Sequence, residues 1–318
     1  MMVSARSKCA GAFLAAALSA LSCTNERRVG ILIDNMPPSL DAGGPADVGR
    51  DPSMPIDDAG PPIGDDSGSI GPTTDASSDG PASTVHFSRI PAGQPLPDEA
   101  TCAALVRRGG KEQRTDNTPF NKVIATAAQL GQLATWGDPQ GFAPAAMPMG
   151  KRVTGNFTGT TDEILQWGAC KWGLDEDFVR ADSYQANGWH QGSISGWTDT
   201  TSLCPSGGPT RAGMGGTQCA QVFGLFGVTW QFHKSAWPMI HDSTPFTVDY
   251  SLALQRVCFE GWDSYFKGVG PAGNVYGPND EFGCAASFYT GGWYDFSTIQ
   301  QVNHIRDALS SKPWTSGN

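Results

Sequence analysis

The hydrophobic and polar positions of residues 160–192 fall into two successive helical periods. Thr160, followed three residues later by Glu163, predicts a capping box. Ile164, Leu165, Gly168 and Trp172 then recur at helical spacing, and Gly173 ends the run. Asp175 opens a second helix, with Glu176 and Asp177 in the first turn, where negative charge faces the positive end of the helix dipole. Leu174, Phe178, Gln185 and Trp189 form one stripe, and Asp182 and Ala186 lie on it one turn apart. A carboxylate on this core-facing stripe, followed by Trp189, makes Asp182 a candidate for chemistry. A buried, hydrogen-bonded structural carboxylate is the competing reading.

Periodicity elsewhere is patchier. Residues 97–121 predict a short helix around Cys102 and then an irregular polar stretch that wraps the helical core. Residues 123–159 read as loop, with a short helix near Thr126 to Leu133. Residues 192–217 hold seven glycines and Trp197 and read as a long loop, a length that is usually functional or disordered. A strong helix is expected from Asp242 to Phe266, with Thr244 as cap, Pro245 at its first position, and Phe246, Tyr250, Leu254, Val257 and Gly261 facing inward. Ile299 to Leu309 predicts a terminal helix. Trp167, Trp172 and Trp262 sit within helical patterns and are expected in the core.

The first residues are of a different kind. Arg6 and Lys8 precede an apolar run from Ala10 to Leu21 that is shaped like a secretory signal and is too short to span a bilayer. Ala20-Leu21-Ser22-Cys23 resembles a bacterial lipoprotein cleavage site with Cys23 as the lipidated residue; simple secretion is the alternative. Residues 1–23 are therefore read as a signal, 24–84 as a linker and 85–318 as the folded domain. Residues 34–84 contain ten Asp, no Glu and a single basic residue, Arg50, among many Gly, Pro and Ser. Such a segment buries too little apolar surface to offset its chain entropy, so disorder is expected. It carries nearly all of the formal net charge of −10, so the acidity says little about what the domain binds. As a flexible coil it would reach roughly 40 Å.

Six cysteines remain beyond the signal: Cys102, Cys170, Cys204, Cys219, Cys258 and Cys284. An even number in an exported chain reads as up to three disulfides, and their connectivity is open. Cys204 and Cys219, which bracket a Gly- and Pro-rich loop, are the first pair to expect. The chain has no CxxC and no paired histidine spacing, so no metal site is expected, and no cofactor. His190, His233 and His241 are read as surface or hydrogen-bonded residues. Nucleic acid is excluded as a partner by the absence of a basic stripe.

Several stretches together resemble one family. TTDEILQWGACKWGLDEDFVR (160–180) with Trp189, His190 and Gln191 is similar to the lysozyme-like, lytic-transglycosylase-related domains of secreted bacterial proteins. So are Arg107, Arg108, Glu112, Arg114, Asn117 and Asn121, the run QVFGLFGVTW (221–230), the helix after Thr244, and residues 274–293. The resemblance implies a mainly α, lysozyme-like α+β domain, helical with a loop-rich lobe over a sugar cleft and stapled by disulfides. It implies peptidoglycan or a related glycan as partner, an exported cell-envelope location, and membrane contact only through a lipid anchor. Trp189, Trp197, Tyr289 and Trp293 become candidate cleft walls.

The same resemblance exposes departures. The position of the family's catalytic Glu is Ala186, and Asn187 follows where Ser is usual. Val222, Gly227 and Thr247 replace other residues expected at that cleft. Glycosidic cleavage needs a carboxylic acid of raised pKa beside the leaving oxygen, and Ala186 cannot supply one. Three readings follow: a glycan-binding pseudoenzyme, an active lytic transglycosylase using Asp182 as a relocated acid, or a non-catalytic protein-interaction domain.

Overall fold

The computed structural model describes residues 86–133, 142, 146–213, 216–262, 276–290 and 296–316. The expectations for the signal, for Cys23, for the acidic segment and for Trp293 lie outside those residues. Among the described residues the architecture is mainly helical. Its helices are α1 (Glu99–Leu105), α2 (Ala127–Leu133), α3 (Met147–Gly150), α4 (Thr161–Trp172), α5 (Glu176–Asn187), α6 (Met239–Asp242), α7 (Thr244–Phe259), α8 (Glu281–Thr290) and α9 (Phe296–Ser311).

Local chemistry sets the central pair where the sequence places it. Thr160 accepts from the Glu163 N–H, and Glu163 reaches back to the Thr160 N–H, so two orphan donors of α4 are satisfied together. Gly173, at φ 58, ends the helix in the left-handed region. Asp175 then caps α5 by accepting from the Asp177 and Phe178 N–H groups. α7 starts on Ser243 rather than Thr244, because the Ser243 hydroxyl accepts from the Phe246 N–H. It stops at Phe259, short of the expected Phe266, where Gly261 turns the chain at φ 73. Trp262 falls beyond that stop and is 42% exposed, so it is not the core residue expected from a longer helix.

The long Gly-rich stretch is not all loop. It contributes β1 (Ile194–Ser195), β2 (Thr210–Gly213) and β3 (Gly216–Cys219), followed by β4 (Val222–Phe223) and β5 (Val228–Thr229). One antiparallel sheet has the order β1-β4-β5, with Ile194 opposite Phe223 and Phe223 opposite Val228. The other is the β2–β3 hairpin, with Thr210 opposite Cys219. Strands of two to four residues leave almost no period-two signal, which is why the pattern did not announce them.

α4 packs across α7, and Gly168 permits the close approach: a Cβ there would meet Val248 Cγ1 at 2.6 Å and Leu252 Cδ1 at 2.9 Å. Trp167 and Trp172 are fully buried, as their pattern predicts. Three disulfides staple this core. Cys102–Cys170 joins α1 to α4, Cys258–Cys284 joins α7 to α8, and Cys204–Cys219 closes the hairpin lobe, the pair expected from spacing. Bonds of this kind persist in oxidising compartments, so the folded part is extracytoplasmic. Among the described residues no helix is long and apolar enough to cross a membrane.

At the centre lies a buried charge cluster. Asp249 on α7 is completely buried and accepts from Lys171 Nζ (2.8 Å), Trp172 Nε1 (2.7 Å) and the N–H groups of Thr154 (2.7 Å) and Gly155 (2.9 Å). Lys171 is equally enclosed and also reaches Glu99 at 3.0 Å. Removing one partner of a buried pair strands the other charge, at a typical cost of about 3–5 kcal/mol. Asp249→Asn is therefore expected to lower the free energy of unfolding by about that much, read as a fall in the urea midpoint with little change in slope. An unchanged midpoint would show that the pair carries no such weight.

Candidate functional site

The C-terminal end of α5 is built by an unusual turn. Gly188 caps the helix at φ 57, and Trp189 follows at φ 68, a conformation that a bulky side chain adopts only under constraint. The indole supplies the constraint. Its Nε1 donates to the Arg180 carbonyl at 3.1 Å, and its ring stacks on Trp314 with centroids 6.3 Å apart. Trp189 is thus a core residue, 1% exposed, and not the cleft wall expected from its position. The polar segment before α2 holds the turn from the other side. Asn117 donates to the Trp189 carbonyl and accepts from the Gln191 N–H at 2.8 Å, and Arg114 Nε donates to the Gly188 carbonyl at 2.8 Å.

This turn delivers His190 to an open groove of about 430 Å³, lined by Asp116, Phe120, Asn187, His190, Gly192, Ser193 and Ile194. His190 Nδ1 lies 2.7 Å from Asp116 Oδ2, and both side chains are about half exposed. Ser193 Oγ donates to Asn187 Oδ1 at 3.0 Å, while Asn187 Nδ2 donates to the Gly224 carbonyl at 2.7 Å. Asn187 therefore ties the helix end to the turn between β4 and β5.

Positions expected around the cleft do converge on this helix end. A Cβ at Gly227 would lie 3.4 Å from Asn187 Nδ2, 3.6 Å from Val222 Cγ1 and 3.9 Å from Tyr289 Cε1. Gly227 itself sits at φ 60, a conformation suited to glycine and strained for a residue with a side chain. Thr247 departs from expectation. It is fully buried and bonded to Gln191 Nε2 (3.1 Å) and the Ile240 carbonyl (3.0 Å), so it supports the turn from behind and does not face the groove.

Asp182 lies one turn back from Ala186 and is wholly enclosed. Gln255 Nε2 donates to it at 2.7 Å and the Tyr289 hydroxyl at 3.2 Å, so the carboxyl joins α5, α7 and α8. Burial pushes its pKa up to about 7, against the downward pull of those two hydrogen bonds. Burial, then the neighbouring Asp182 charge, pushes the Tyr289 phenol well above its usual 10. Tyr289 is half-buried with its hydroxyl turned inward onto Asp182. Trp197 is half-buried beneath the Arg211 guanidinium, 4.4 Å from the ring centroid, which covers one face.

Two other places bring titratable groups together. His86, Glu176 and Asp177 place ligand-type atoms within 4.8 Å of one another. Arg107, Arg180 and Lys312 already neutralise those carboxylates, and the arrangement is an ion-pair network rather than a cation site. Burial lowers the His233 pKa to about 3, and the ring hydrogen-bonds the Tyr250 hydroxyl at 2.8 Å within the core. Comparison with protein-family models, with curated proteins and with solved structures finds no match.

Asp182 has a calculable effect on stability. The unfolded carboxyl ionises near pH 4 and the folded one near 7. Below pH 4 both states are protonated and the group contributes nothing. As pH rises towards 7 the unfolded state alone loses its proton and is favoured, by on the order of 4 kcal/mol at the limit. Asp182→Asn is expected to be more stable than the parent at pH 8 and close to it at pH 4.5, by urea unfolding at each pH. His233 acts in the opposite sense below about pH 6.5, but it is common to both proteins and cancels in the difference. A constant difference across that range would show that the folded carboxyl binds no more protons than the unfolded one, so that burial does not raise its pKa.

Proposed function

We propose that the folded part is a lysozyme-like module that binds peptidoglycan or a related glycan and has lost the chemistry to cleave it. The reading is supported by the groove at the end of α5. It is open and polar and reaches Asn187, one of the positions where the resemblance expects a sugar cleft, yet Ala186 and Asn187 occupy the acid-bearing end of the helix. A methyl group delivers no proton, and losing an acid–base group typically removes a factor of about a hundred to ten thousand in rate. In this reading Cys23 carries a lipid, the acidic segment tethers the domain, and the partner is the wall glycan of the cell envelope.

An active enzyme using Asp182 is the second reading. The raised proton affinity of that carboxyl favours it, since a general acid works best with a pKa near the working pH. Its complete enclosure behind Tyr289 and Gln255 opposes it, because no bond of a sugar chain can come within hydrogen-bond reach of Asp182 as it stands.

The test incubates the purified full chain, Asp182→Asn and Ala186→Glu with peptidoglycan sacculi. Co-sedimentation and released anhydro or reducing muropeptides are both measured. Binding by all three without products from the parent is the expected result. Products from the parent that vanish in Asp182→Asn would replace the first reading with the second. Neither binding nor products would leave a protein-interaction domain.

A further inference from the structure

The groove contains one feature that the loss of an acid does not explain. His190 and Asp116 come from segments 74 residues apart in the chain, yet they meet at 2.7 Å on its wall. The backbone pays for this placement with two consecutive left-handed residues, Gly188 and Trp189, and the second is held in that state by its own buried indole. A surface histidine needs no such support.

We propose that His190, oriented by Asp116, is the polar anchor of the groove, accepting a hydrogen bond from a hydroxyl or acetamido N–H of an uncharged sugar. This rests on the glycan-binding reading and adds which group is recognised and by what. With the Asp116 carboxylate against Nδ1, a neutral imidazole carries its proton on Nδ1 and presents the Nε2 lone pair. Nε2 has no partner among the described residues.

The rest of the lining fits the same class of ligand. Ser193 and Asn187 are already bonded to each other and present remaining hydroxyl and carbonyl lone pairs, which accept from sugar hydroxyls. Phe120 and Ile194 supply apolar wall. Among the described residues no Lys or Arg lines the groove, which disfavours an anionic ligand. Asp116 is a positioning residue: it fixes the tautomer and ring plane of His190 and need not touch the sugar.

The experiment uses the purified full chain and chitotetraose, a soluble N-acetylglucosamine oligomer, alongside sacculi. Affinities are measured by calorimetry for the parent, His190→Ala and Asp116→Asn, with fold checked by circular dichroism. The parent's His190 ring signals are followed by NMR during titration. Binding by the parent, a loss of roughly three- to tenfold in His190→Ala, a smaller loss in Asp116→Asn, and a shifted His190 ring signal are expected. A parent that binds while His190→Ala binds equally well would overturn the anchor and leave the glycan reading intact. Should a variant misfold, His190 signals that stay in place at saturating chitotetraose overturn it instead. A parent that binds neither chitotetraose nor sacculi overturns both.

Discussion

Asp249 is the constraint on which the other elements depend. A carboxylate with no exposed surface survives only when its oxygens are saturated by donors. Here the donors come from two places, Lys171 and Trp172 at the end of α4 and the Thr154 and Gly155 backbone, and Lys171 also donates to Glu99 on α1. None of these can move without stranding a charge, so α1, α4, α7 and the segment before α4 are fixed as one unit. Cys102–Cys170 and Gly168 act on the same assembly, one covalently and one by letting helix surfaces touch. A second clamp lies at the far end of α7. Arg256, fully buried, donates to the Ile90, Pro91 and Gly173 carbonyls and pairs with Glu260, strapping the start of the domain across the helices.

The groove inherits its rigidity from that frame. α5 is bound to α4 through Arg180, which contacts Asp162 as well as Glu176 and Asp177 on its own helix. It is bound to α7 and α8 through Asp182. The helix end is therefore stationary, and the turn after it can hold a strained Trp189. The polar segment before α2 closes the arrangement. Glu112 accepts from the Thr161 N–H and from Asn121 Nδ2, each at 2.7 Å, which draws Asp116 and Phe120 of that segment against the end of α5. Residues that look like a passive wrapper thus form one wall of the candidate site.

How much of this the sequence could show depended on the range of the interaction. Both ends of α4 and the start of α5 were legible, because a cap is made by residues three or four apart. The inward faces of the long helices were legible too, since burial imposes a period. The start of α7 was misplaced by one residue because Ser243 and Thr244 can both cap, and only the geometry chooses. The short strands gave no pattern, and the hairpin depends on its disulfide and sheet partners. Trp189 entered the expected cleft wall through the resemblance although it shares a stripe with Leu174 and Phe178, and its positive φ turns it into the core that the stripe faces. The pairing of His190 with Asp116 was out of reach, since no spacing rule links residues so far apart.

Asp182 and Ala186, one turn apart near the end of α5, show how position on a helix differs from position in a site. Asp182 and Ala186 share a stripe, so substitution at one invites the other as replacement. Burial decides otherwise. The stripe faces α7 and α8 at Asp182 and reaches the groove only at the last turn, where Asn187 stands. Four residues of rise, about 6 Å, are enough to carry a side chain from solvent into the core. The raised proton affinity of Asp182 follows from that burial alone and would arise in any enclosed carboxyl with two neutral hydrogen-bond donors. It marks a structural tie between three helices, while the strained turn leaves His190 and Asp116 half-exposed on the groove.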